Sequence, residues 1–130
     1  MPHITLEYSG NVLESARDRI DIRRVLVQLN LVLEETGGIQ IINCKSRVKV
    51  AEEFVVGRGG PSQGFVHLDV RILEGRSGDL KEKLGARLLE TLKEHFLVAA
   101  ETLDLQITVE IRDIERSNYF KHPEGTIGID

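Results

Sequence analysis

Apolar residues recur along this chain in two rhythms. His3-Ile4-Thr5-Leu6-Glu7-Tyr8 sets Ile4, Leu6 and Tyr8 on one side of an extended segment, and Val66-His67-Leu68-Asp69-Val70-Arg71-Ile72 does the same with Leu68, Val70 and Ile72. A period of two marks a strand with one face turned to a core. The two segments overlay in phase, and each is followed by a stretch of helical periodicity and then by another alternating stretch. The chain therefore reads as a βαβ unit written twice: one domain over 1–130, with halves at about 1–56 and 64–114 and a C-terminal tail.

The first helical stretch opens at Asp21, whose carboxylate can cap the unpaired amides of a first turn. It carries Ile22, Val25, Leu26, Leu29 and Leu33 as one stripe and stops at Gly37-Gly38, where a residue without Cβ can turn left-handed. The second opens near Ser77 or Asp79, repeats Leu80, Leu84, Leu88, Leu92 and Phe96 at four-residue steps, and is expected to reach about Ala100. The predicted second strand spans Ile39 to Val50, with Gln40, Ile42, Cys44, Ser46, Val48 and Val50 on one face and Lys45, Arg47 and Lys49 on the other. A fourth strand turns Leu103, Leu105, Ile107, Val109 and Ile111 inward, and Gly57-Arg58-Gly59-Gly60-Pro61-Ser62 reads as a loop. Four strands and two helices in this order predict a two-layer α+β sandwich with both helices on one face of a single sheet. A ferredoxin-like monomer would leave the second face to solvent and an oligomer would cover it; periodicity does not choose.

Composition narrows the function. The 130 residues are 41% hydrophobic and 29% charged, which excludes a disordered chain. Lys and Arg total 17 against 21 Asp and Glu, a net charge of −4 that argues against nucleic-acid binding through bulk charge. No apolar run approaches the ~20 residues of a bilayer span, so no membrane partner is expected. One cysteine, Cys44, cannot form an intramolecular disulfide, and the amino terminus lacks the pattern of a secretory signal, which together predict a reducing, cytoplasmic setting. The four histidines are scattered, with no His-Glu-x-x-His helix, paired cysteines or glycine-rich phosphate loop, so no metal site is expected.

Three features could carry chemistry. Pro2 follows the initiator methionine; with Met1 removed it is a secondary amine, a base near neutrality if cations and burial oppose its protonation. The same dipeptide is also an ordinary start with no role. Lys45, Arg47 and Lys49 project from one strand face and suit a carboxylate-bearing ligand, although a solvated face would look alike. Gly75-Arg76-Ser77 stands where a strand hands over to a helix, a place where amides and Arg76 could meet an anion or simply form a turn.

In their order and spacing, Met1-Pro2-His3-Ile4-Thr5-Leu6-Glu7-Tyr8-Ser9, Lys45-Ser46-Arg47-Val48, Phe65-Val66-His67-Leu68 continuing to Gly75-Arg76-Ser77, His95-Phe96 and Asn118-Tyr119-Phe120-Lys121 resemble the 5-carboxymethyl-2-hydroxymuconate Δ-isomerase family of the tautomerase superfamily. The resemblance implies a homotrimer of doubled βαβ subunits, sheets inside and helices outside. It implies a cofactor-free isomerase of a small anionic substrate, in which Pro2 takes a proton from an unsaturated hydroxy acid and returns it to another carbon. Of the family's carboxylate-binding arginines, one falls on Lys45 and another on Arg76. Lysine keeps the charge but loses the planar fork, and Arg47, two residues on, is the residue to supply that grip. The loop from Glu52 to Gln63 has no match and is a candidate determinant of specificity. The competing reading is a non-catalytic oligomeric binding protein using the Lys45, Arg47 and Lys49 face. Retention of Met1 separates the two, because it makes the Pro2 nitrogen an amide, which is no base.

Overall fold

The computed structural model describes residues 1–123; the far end of the expected C-terminal tail, 124–130, lies outside the described residues. The amino-terminal alternation forms β1 (His3–Ser9), followed by a short helix α1 (Asn11–Ala16), the long helix α2 (Ile22–Gly37), a 3-10 turn (Ile41–Asn43) and β2 (Lys45–Ala51). Then come β3 (Gln63–Leu73), α3 (Gly78–His95), α4 (Leu97–Ala100), β4 (Asp104–Ile114) and a second 3-10 turn (Arg116–Asn118). The sheet order is β2-β1-β3-β4, with β1 parallel to β2, β3 parallel to β4 and the central pair antiparallel. Each parallel pair is joined through its long helix, as parallel strands require a crossover.

Local signals set the helix ends. The Asp21 carboxylate accepts the Arg24 N–H at 3.2 Å and Ser77 Oγ accepts the Leu80 N–H at 3.1 Å. Gly38 closes α2 at φ 65°, its N–H bonded to the Glu34 carbonyl at 3.1 Å. One face of the sheet buries Ile4, Leu6, Tyr8, Val66, Leu68, Val70 and Ile72 against Val25, Leu29 and Leu33 of α2 and Leu84, Leu88 and Leu92 of α3. At roughly 25 cal/mol per Å² of apolar surface, this layer dominates the folding energy.

Three expectations are corrected. Residues 39–44 do not extend the second strand: Asn43 N–H bonds back to the Gln40 carbonyl and Cys44 N–H to that of Ile41, and the resulting turn carries the chain from α2 to the sheet edge. Its strand-like alternation is local, and Ile42 stands 82% exposed. The second long helix ends at His95 rather than Ala100. Steps of four drift by about 40° each from the 100° helical period, so the stripe winds off the core. A break at Phe96 (φ −100°, ψ 9°) re-aims the chain, burying Phe96 beside Tyr8 and Ala99 behind it. The helix α1 was not expected; it buries only Val12 and Ala16, too little to show a period.

Among the described residues no helix is long and apolar enough to cross a membrane. The second sheet face carries the alternate side chains. Registers place Lys45, Arg47 and Lys49 of β2 across from His3, Thr5 and Glu7, with Arg71, Asp69 and His67 next on β3 and Arg112, Glu110 and Thr108 on β4.

Candidate active site

The starts of β1 and β2 and the ends of β3 and β4 meet at one end of the sheet. Pro2 heads β1 there, and its carbonyl accepts the Lys45 N–H at 3.1 Å. Met1 is buried; its ammonium donates to the Asn43 carbonyl at 3.0 Å, and Lys45 Nζ donates to that same carbonyl at 2.8 Å. With Met1 attached, the Pro2 nitrogen is a peptide nitrogen and takes no proton.

On the open face beside this end lies a cleft of about 470 Å³ whose walls include His3, Arg47, Lys49, Asp69, Arg71 and Tyr119. Arg47 Nη2 approaches His3 Nδ1 at 2.8 Å, and His3 Nε2 lies 2.9 Å from the Tyr119 hydroxyl. Burial first, then Arg47, the chain's amino group, Lys45 and Arg71, hold the His3 pKa below its usual value, because each disfavours an added positive charge. Asp69 is tied to Arg71 at 3.1 Å and to Arg112 at 3.3 Å. Among the described residues, Arg47 and Lys49 have no carboxylate partner, which leaves net positive charge on their side of the cleft. Tyr119 reaches the cleft because the Glu74 carboxylate accepts the Arg116 N–H at 2.7 Å while Arg116 Nε donates to the Glu74 carbonyl at 3.2 Å, pinning the segment after β4 to the end of β3.

The residues singled out from the sequence separate here. Pro2 and Lys45 are brought together, but the Lys45 ammonium turns to Asn43 and is not part of the cleft wall. Arg47 is in it. Arg76 follows β3 at the same end of the sheet, half-buried and outside the cleft lining. His3, Arg71 and Tyr119 were not among the expected site residues. The polar positions alternating with Ile4, Leu6, Val70 and Ile72 held the signal for the first two. Among the described residues no group of three or more His, Cys, Asp or Glu side chains is arranged to hold a metal ion.

A doubled βαβ subunit with helices on one sheet face, a proline heading the first strand and a cationic cleft on the other face define a tautomerase-type protein. A family model described as 5-carboxymethyl-2-hydroxymuconate isomerase matches residues 2–124. The chain is 29% identical over 121 residues, 93% of each protein, to 5-carboxymethyl-2-hydroxymuconate Delta-isomerase of Escherichia coli. It also resembles the crystal structure of a 5-carboxymethyl-2-hydroxymuconate isomerase from Deinococcus radiodurans R1, at 30% identity over 92% of this chain and 87% of that one, with a TM-score of 0.81. A fused 4-OT described as a symmetric trimer shares the fold at 15% identity, covering 97% of this chain and 98% of its own, with a TM-score of 0.70. The chain belongs to the 5-carboxymethyl-2-hydroxymuconate isomerase family and is an isomerase of the tautomerase superfamily.

Proposed function

We propose that the chain, once Met1 is removed, is a cofactor-independent isomerase of an anionic unsaturated 2-hydroxy or 2-oxo acid of the 5-carboxymethyl-2-hydroxymuconate kind, acting in the breakdown of aromatic acids in the cytoplasm. Pro2 is the base. The observation that carries this reading is the position of Pro2 at the head of β1, backed by Lys45 and beside the cation-lined cleft. There, positive charge and burial both oppose protonation of a freed proline amine and lower its pKa below that of an ordinary chain terminus. The amine takes a proton from the hydroxy acid and returns it to another carbon of the conjugated chain, while Arg47 in the cleft wall grips a carboxylate and Lys45 and Arg76, at the same end of the sheet, add positive charge around it.

The subunit works as part of a homotrimer. Support comes from the trimeric neighbour of the same fold and from the β2 edge, where Val48 and Val50 remain 37% and 42% exposed, an unpaired strand that another subunit would cover. Sedimentation at micromolar concentration is expected to give a trimer, and a stable monomer would remove this part of the reading.

The deciding experiment compares Met1-processed with Met1-retaining protein on one 2-hydroxymuconate-type dienol. Processed protein should turn it over with a rate that rises with pH as the amine loses its proton. Protein that keeps Met1 should be nearly inactive, since an amide nitrogen cannot accept the proton. Equal rates would assign the base to another group.

A further inference from the structure

The hydrogen bonds in the cleft have a direction that the donors themselves impose. A guanidinium only donates, so the 2.8 Å contact from Arg47 Nη2 makes His3 Nδ1 the acceptor. The neutral ring then carries its proton on Nε2 and donates it to the Tyr119 oxygen at 2.9 Å. The Tyr119 hydroxyl keeps its own proton, and no other hydrogen bond of that hydroxyl is found among the described residues. The other polar walls are the cations Arg47, Lys49 and Arg71, the Thr5 hydroxyl, and the Asp69 carboxylate, whose Oδ2 accepts from Arg71 at 3.1 Å while its buried Oδ1 has only the Arg112 ion pair at 3.3 Å. With three cations and one carboxylate in its walls, the cleft carries an excess of positive charge that suits an anionic oxygen beside the Tyr119 hydroxyl.

We propose that Tyr119 is a specificity-determining hydrogen-bond donor to an anionic oxygen of the substrate, and that His3, held by Arg47, is the positioning residue that turns the Tyr119 proton into the cleft. This rests on the reading of the cleft as the substrate's site. His3 acts as a relay of orientation: Arg47 selects its tautomer, and the tautomer makes the Tyr119 oxygen an acceptor toward His3, which leaves its one proton to be donated elsewhere.

The test uses the Met1-processed full chain, adipate as a dicarboxylate probe followed by calorimetry, and turnover of a 2-hydroxymuconate-type dienol. Tyr119→Phe removes one hydroxyl. The loss of a hydrogen bond to a charged group should raise the adipate Kd and the dienol KM by roughly tenfold or more, with kcat changed by less than about twofold. His3→Leu should weaken binding similarly. The double variant should do no worse than the more damaging single change, as for groups acting in series. His3→Gln, whose amide can accept from Arg47 and donate to Tyr119, should recover most of the loss, which a merely structural role for His3 would not predict. Nitrogen NMR of the unliganded protein should show the Nε2–H tautomer of His3, kept in Tyr119→Phe and lost in Arg47→Met. An Nδ1–H ring, or additive effects of the two single changes, would overturn the inference. Turnover with an unchanged KM and Kd in Tyr119→Phe would sink it while leaving the proposed reaction standing. Absence of turnover with adipate binding weakened by Tyr119→Phe would do the reverse.

Discussion

The open face of the sheet is divided between two ways of placing positive charge. On the β3–β4 side, cations sit beside carboxylates two residues along the same strand: Arg71 with Asp69 at 3.1 Å and Arg112 with Glu110 at 3.0 Å, with Arg112 also reaching Asp69 at 3.3 Å. Lys81 of α3 adds a pair to Asp113 at 3.2 Å. On the β2 side the same spacing places cation beside cation. Arg47 leans on a neutral His3, Lys45 on a carbonyl, and Lys49 has no ion pair among the described residues. Pairs of the first kind neutralise the cations that make them and leave little charge for a ligand. Cations of the second kind repel one another, a repulsion that an anion would relieve, and this is the physical basis for the proposed role of the β2 side in binding.

The sharpest way to break this comparison is to truncate one arginine from each side. Arg47→Met should raise the KM for a dianionic dienol by roughly ten- to a hundredfold, the equivalent of about 1.5–3 kcal/mol for a hydrogen bond to a charged group. Its melting temperature should barely change. Arg112→Met, on the paired side, should leave KM alone and lower the melting temperature, because the buried Asp69 Oδ1 loses its ion partner at 3.3 Å. Equal kinetic effects would show that pairing does not separate binding from structural cations. A smaller effect is expected when the β2 side is made to imitate its neighbour. Lys49→Glu gives Arg47 a carboxylate two residues away, as Asp69 serves Arg71, and should raise KM severalfold while letting the His3 pKa climb back toward its usual value, readable by NMR titration. Smaller still is Lys45→Arg. A fork at this position suits a carboxylate, but the Lys45 side chain is already turned to the Asn43 carbonyl, so KM should move by less than about threefold.

What could be read from the sequence was what neighbouring residues decide. Asp21, Gly38 and Ser77 end helices through bonds to residues three or four positions away, and the cationic face of β2 follows from its period of two. The start of β2 could not be read, because residues 39–44 alternate like a strand, and only the turn bonds around Asn43, with Met1 and Lys45 converging on its carbonyl, show the departure. The difference between Lys45 and Arg47 was hidden for the same reason: both point from one strand face, and only their partners separate them. Tyr119 stands 116 positions from His3 and reaches it because Glu74 and Arg116 clamp the chain between them, an encounter with no local signature.

The smallest expected effect is on stability as pH falls. His3 is held below its usual pKa by burial first and then by Arg47, the chain's amino group, Lys45 and Arg71, and His95 by burial and then Arg24, against an opposing pull from Glu94. For both rings the unfolded chain binds a proton at a pH where the folded chain does not, so stability rises with pH across that window. It is fully present above the unfolded value, near 6.5, and is lost as pH falls through the lowered folded values. The melting temperature should therefore decline from pH 7 toward pH 5. His3→Gln should flatten part of that decline and His95→Gln another part, each ring acting on its own side of the sheet. Lys49→Glu, by supplying a carboxylate near Arg47, should also make the decline shallower, because a charged His3 is then less opposed. A slope unaltered by His3→Gln would mean that the Arg47 side of the sheet does not hold its histidine neutral, and the contrast between the paired and unpaired cations would lose its electrostatic basis.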